Sequence, residues 1–318
     1  MAEKQSTRAA YGKALAELGA RDERVLVADA DLAHATMTVD FANQFPDRFY
    51  NFGIAEANMM AAASGLAHCG YTVFASTFAL FGAGRAYEQV RNAICYTHAN
   101  VKLGLSHAGP SCGEDGGSHQ SVEDIALMRV LPGMTVLVPC DAIEMTKAVY
   151  AAAAKEGPVF IRTGRLPTEI CTKESTPFEI GKAVVLREGT DVAIFACGIM
   201  VPEALKAAEM LAGEGISSAV VNVHTIKPLD EECILRVASS CGAVVTAEEH
   251  SIIGGLGAAV AETLMGKSNA SFERVGIQDR FGQSGTPQAL FREYGLTANA
   301  IQAACHRVIE HKKASGSR

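Results

Sequence analysis

Short apolar runs alternate with stretches of helical periodicity along the whole chain, and this alternation is the mark of a parallel sheet flanked by helices. In the first half the runs predict strands at 24–28, 50–52, 72–75, 101–106, 135–138 and 159–162. Helices are expected between them at 8–18, 55–67, 84–96, 121–130 and 142–155. Pro132-Gly133 and Gly157-Pro158 mark returns to strand. Residues 167–189 lose the alternation and turn polar, with Pro167, Lys173, Glu174, Ser175 and Pro177 close together, so they read as a linker. A second pattern follows: strand 192–195, helix 201–212, strand 218–223, helix 230–239, strand 243–247 and helix 256–265. The expected class is α/β with two domains, 1–166 and 190–318, each a mostly parallel sheet flanked by helices.

The 318 residues are enough for two cores without staples. Residues 57–84 hold no Asp, Glu, Lys or Arg. Gly70 and the β-like run after it split this stretch into a buried helix and a buried strand rather than a membrane span. The balance of 28 basic against 35 acidic residues, −7 in all, lacks the electrostatic footprint of a nucleic-acid binder. Nine scattered cysteines with no C-x-x-C spacing argue against a disulfide framework and a zinc knuckle. A reducing compartment is implied, and with no apolar stretch like a signal peptide in MAEKQSTRAAYGKAL the expected location is the cytoplasm.

Three features carry candidate chemistry. Glu56, in NFGIAEANMM, follows a strand and opens an apolar helix, so its carboxylate is either a helix-terminus charge or a buried acid meant for a ligand nitrogen. Phe78 and Phe81, in STFALF, are spaced to present aromatic faces to a flat heterocycle, or to fill core. The loop SHAGPSCGEDGGSHQ, 106–120, carries His107, Glu114, Asp115 and His119 among glycines and has no bulky apolar side chain. It sits after a strand, where open α/β sheets bind ligands. His107, Asp115 and His119 suit acid–base and hydrogen-bonding work on hydroxyl-rich substrates better than zinc. The glycines of GGLG, 254–257, are expected to make a tight turn for close helix packing rather than a dinucleotide site.

These pieces, in the order STRAA, ADLA, GIAEANM, STFALF, GEDGGSHQ, FIRTG, HTIKPLD and EEHSIIGGLG, resemble the second half of transketolase, the pyrimidine-binding and C-terminal domains, over nearly the whole chain. The last segments also resemble deoxyxylulose phosphate synthase and 2-oxo acid dehydrogenase β subunits. The resemblance implies thiamine diphosphate as cofactor, with Glu56 bonded to the pyrimidine nitrogen as a catalytic group and Phe78 and Phe81 beside the ring. Asp31 falls among the cofactor-side positions near a subunit interface. His119 is implied in catalysis and donor binding, Asp115 in holding the next hydroxyl, and Arg8, His107 and Arg162 in gripping a sugar phosphate. Gly84 stands where fuller relatives carry a Tyr, and Ala35 where they carry a hydroxyl-bearing phosphate ligand.

The GDG motif that anchors the family's metal does not occur. The resemblance therefore implies that Mg2+ or Ca2+ and the diphosphate are held by a separate N-terminal-half subunit in a heterotetramer. The expected activity is two-carbon ketol transfer from a ketose to an aldose. The alternatives are a dehydrogenase-like or synthase-like thiamine enzyme subunit and a non-catalytic scaffold.

Overall fold

The computed structural model describes residues 3–316 and forms two main sheets with helices on both faces. The first sheet runs, from edge to edge, through Thr225–Lys227, Thr135–Leu137, Val159–Arg162, Val101–Ser106, Thr72–Phe78, Val25–Asp29 and Phe49–Asn51. Every neighbouring pair is parallel except the first, which is antiparallel. The second sheet orders Ser271–Ile277, Ala243–Ser251, Val192–Ala196, Ser218–Asn222 and Val184–Arg187, parallel but for the last strand. The expected α/β class with mostly parallel sheets is therefore what the chain adopts.

The central strands are buried on both faces, which explains their continuous apolar runs. Val101–Ser106 also buries Lys102, whose Nζ donates to Asn100 Oδ1 and to the carbonyls of Lys155 and Gly157. Two residues on, Gly104 has no room for a side chain: a Cβ there would lie 1.9 Å from Tyr11 Oη, which hydrogen-bonds Ser76. The helix Thr7–Arg21 is capped by Ser6, whose Oγ accepts from the amide of Ala9. Asp141 caps Ala142–Ala154 in the same way.

Several elements differ from expectation. The helix expected at 84–96 is a broken segment with wide π turns at Leu80–Arg85 and Val90–Cys95. The helix expected at 121–130 shortens to Asp124–Arg129. The polar stretch 167–189 contains two strands: Pro167–Glu169 pairs with Lys4–Ser6, and Val184–Arg187 edges the second sheet. Thr225–Lys227 follows the second sheet's Ser218–Asn222 in sequence yet extends the first sheet, so the two are tied through backbone hydrogen bonds. Beyond 265 come the strand Ser271–Ile277 and the helices Pro287–Glu293 and Ala298–Gly316. No helix among the described residues is long and apolar enough to cross a membrane.

Candidate active site

The carboxyl ends of the first sheet's central strands carry a ring cluster. Phe78 ends its strand, and His107 follows the neighbouring one at φ 58°. That left-handed backbone turns the His107 imidazole back onto Phe78, with centroids 3.9 Å apart and planes 27° from parallel. Phe81 stacks on Phe78 at 5.8 Å, and His119 meets Phe81 edge-on at 5.4 Å. Phe78 is buried between these contacts, so half-buried Phe81 is the ring of the pair left to meet a ligand. Burial, then the charges of Arg8 and Arg165, push the His107 pKa down to about 3. The imidazole is therefore neutral near pH 7, a hydrogen-bonding group rather than a cation, with Nδ1 on Ser106 Oγ.

The loop 106–120 is shaped by glycines at positive φ and by the second half of the chain. Gly109, at φ 76°, lies against Glu249, where a Cβ would come within 2.5 Å of the carboxyl carbon. The Ser111 amide donates to Glu249 Oε1, and Gln120 Nε2 donates to the carbonyls of Gly113 and Gln283. This bracing leaves Asp115 exposed and His119 half-buried at the loop's far end. Asp115 accepts from the Cys112 thiol, and His119 Nδ1 lies 3.0 Å from Ser118 Oγ.

Two arginines stand beside this loop. Arg8 donates to the carbonyls of Ala35 and Arg165, while its buried Nε has no partner. Arg165 donates to the carbonyl of Cys112 and pairs with exposed Glu114. Burial and the neighbouring charge of Arg165 lower the pKa of Arg8. Arg162 is a correction. Its guanidinium is only 4% exposed and is consumed by Asp124 at 2.6 Å, by the Glu249 carbonyl at 2.8 Å and by the Glu249 carboxylate at 3.6 Å. It clamps the two halves of the chain together. Arg165, three residues on, takes the place expected of it beside Arg8; FIRTGR holds both arginines, and spacing alone does not separate the one facing inward from the one facing out.

Glu56 is the first residue of the helix Glu56–His68 and is 2% exposed. Both of its carboxylate oxygens accept from Arg85 Nη1, at 3.3 and 3.1 Å. The same guanidinium lies 4.9 Å over the Phe81 ring. Sequence reasoning passed over Arg85, which stands in the π turn that the expected helix obscured. Asp31 lies on an exposed loop at φ 63° and exchanges hydrogen bonds with Asn51, so its observed partner is not one of the rings.

The GGLG glycines make the tight turn expected of them. Glu248 accepts the amides of Leu256 and Gly257, filling the helix start where a phosphate would bind, and a Cβ on Gly255 would fall 2.0 Å from Glu248 Oε2.

Comparison with known proteins gives consistent matches. The pattern of the transketolase pyrimidine-binding domain matches residues 3–169, and that of the transketolase C-terminal domain matches residues 181–301. A solved split gene transketolase, described as an inactive β4 tetramer, superimposes with a TM-score of 0.89 at 49% identity, covering 98% of this chain and 100% of that one. A 6-deoxy-6-sulfo-D-fructose transketolase subunit of Clostridium sp. is 45% identical over 95% of this chain and 94% of its own length. Human transketolase is 38% identical over 96% of this chain, which spans 49% of the human protein.

Proposed function

The chain belongs to the transketolase family, carrying its pyrimidine-binding and C-terminal domains, and from that membership we propose that it is the C-terminal subunit of a split, thiamine diphosphate-dependent transketolase. The observation that carries the proposal is the gathering of buried Glu56, half-buried Phe81, the two loop histidines and the Arg8–Arg165 pair at one end of the first sheet. The pyrimidine end of the cofactor suits these residues: a buried carboxylate for a ring nitrogen, beside an aromatic face. The diphosphate end does not have a counterpart, because the chain lacks GDG. Mg2+ or Ca2+ and the diphosphate are therefore assigned to an N-terminal-half partner. A solved relative described as an inactive β4 tetramer is consistent with a chain that self-associates and needs that partner for activity.

Thiamine diphosphate supplies, when bound, the carbon nucleophile that carries the two-carbon unit from ketose to aldose. This chain's residues arrange the rest. Glu56 holds the proton at the pyrimidine ring nitrogen, and Phe81 packs on the ring and excludes water. His119 and neutral His107 hydrogen-bond the donor's oxygens, and Asp115 takes the next hydroxyl. Arg8 and Arg165 bind the anionic end of the sugar, with the free Nε of Arg8 as a waiting donor. Asp31, bonded to Asn51, belongs to the cofactor-side residues near a subunit interface.

A sulfonate end is the second reading for that anion. Ala35 offers only its carbonyl, already bonded by Arg8, and one relative is named for a sulfo sugar. The test is to isolate the chain with its stoichiometric companion and assay ketol transfer with thiamine diphosphate and Mg2+, from phosphorylated and sulfonated ketoses, against pyruvate decarboxylation. Ketol transfer that falls roughly 100-fold or more in Glu56→Gln, with the complex still assembled, supports the proposal. Full activity in that variant, pyruvate decarboxylation in place of ketol transfer, or a complete complex with no ketol transfer refutes it.

A further inference from the structure

Glu56 and Phe81 are the two groups a pyrimidine ring would engage, and one side chain occupies both. Arg85 Nη1 bonds both oxygens of Glu56, and the Arg85 guanidinium covers Phe81 at 4.9 Å. The carboxylate is 2% exposed, whereas the Arg85 side chain is 55% exposed. The arginine thus reaches in from solvent and can leave without disturbing core. It also ends the wide π turn Leu80–Arg85, which aims it at the start of the Glu56 helix. A flat heterocycle cannot bond that carboxylate and stack on that ring face while the guanidinium stays. In the free chain the arginine does useful work, because an ionised carboxylate buried without a partner is strongly destabilising.

We propose that Arg85 is a displaceable stand-in for the pyrimidine: it neutralises Glu56 and shields Phe81 in the free subunit, and it swings out to solvent when the cofactor ring enters. The proposal rests on the reading of Glu56 and Phe81 as the pyrimidine-binding groups. The ring competes with a bound cation, so part of the binding free energy goes into breaking the Arg85 contacts. No covalent step is involved.

The experiment compares wild type with Arg85→Met, Glu56→Gln and Arg91→Met in the complete complex, measuring thiamine diphosphate affinity with Mg2+ by calorimetry and thermal unfolding with and without the cofactor. Arg91, paired with Asn92 on the same segment, serves as the control. An ion pair and cation–π contact of this exposure predict that Arg85→Met binds the cofactor roughly three- to tenfold more tightly. Without the cofactor the same variant melts at a lower temperature than wild type, and addition of the cofactor closes that gap; Arg91→Met changes neither reading.

Equal or weaker binding by Arg85→Met overturns the stand-in role, because the guanidinium would then be indifferent to the cofactor or one of its ligands. Wild-type affinity in Glu56→Gln overturns the underlying reading of the carboxylate and the stand-in role with it, so the two failures are distinguishable.

Discussion

Two arginines three residues apart differ in setting: Arg162 is buried between carboxylates, whereas Arg165 is half-exposed beside Arg8 and pairs with exposed Glu114. Arg162 lies between Asp124 and Glu249, all three buried, so Arg162→Met strands two carboxylates in the interior. The expected cost is about 3–5 kcal/mol, read as a drop in the denaturant midpoint, before any effect on catalysis. Arg165→Met removes a half-exposed side chain from beside Arg8, and the expected result is near-native stability with KM for an anionic ketose raised about tenfold. Equal stability losses in the two variants would undo the distinction. Glu144 carries a third expectation. Burial raises its pKa to about 7, and its oxygens accept from the Cys140 amide and from Asn222. The unfolded chain releases that proton near 4.3, so between about pH 4.3 and 7 the folded state binds more protons than the unfolded one. Stability from this group is therefore complete below that window and is lost as pH rises through 7, by up to about 4 kcal/mol. Subtracting the pH profile of Glu144→Gln from that of wild type should show that fall; parallel profiles would contradict it.

At the scale of elements, the sequence was most readable where burial acts on both faces. Short apolar runs such as 25–28 and 192–196 fit central parallel strands, and they lie in such strands. Three-residue strands at 4–6, 167–169 and 225–227 carry no periodicity of their own, since their pairing is set by segments distant in sequence. The π turns at 80–95 were equally silent, and with them went Arg85. Glu56, the phenylalanines and the loop histidines were legible as residue types in context, while the loop's bonds to Glu249 and Gln283 through Ser111 and Gln120, and the contacts of Glu56 and Phe81 with Arg85, are products of tertiary packing. In the loop 106–120 the glycines give shape but little rigidity, and Gln120, bonded to Gly113 and Gln283, closes it against the second half. Gln120→Leu removes the side-chain donor to the Gln283 carbonyl and leaves Gly113 bonded only by the amide of Gly116, and kcat/KM is expected to fall about tenfold with a stability loss of only about 1–3 kcal/mol. Unchanged kinetics would mean that the loop holds its shape without this brace.

For the whole molecule, the boundary between the two sheets is a set of shared bonds rather than a hinge. Thr225–Lys227 completes the edge of the first sheet beside Thr135–Leu137, and the amide of Ser251 donates to Val122. Asn222 reaches Glu144, and Arg162 holds Glu249. Asn222, Glu144, Arg162 and Glu249 are all buried, so separating the halves would expose unpaired polar groups at several points together. The second half also braces the candidate site: Glu249 and the Gln283 carbonyl fix the loop that carries Asp115 and His119. The expected consequence is one cooperative unfolding transition for the full chain, with calorimetric and van't Hoff enthalpies equal. Residues 3–169 expressed alone would lack the strand beside Thr135–Leu137 and leave that sheet edge open to pairing with other chains, so aggregation is expected. Two resolved transitions, or a soluble and fully folded 3–169 fragment, would show instead that the halves fold independently and that the loop is braced only after both are complete.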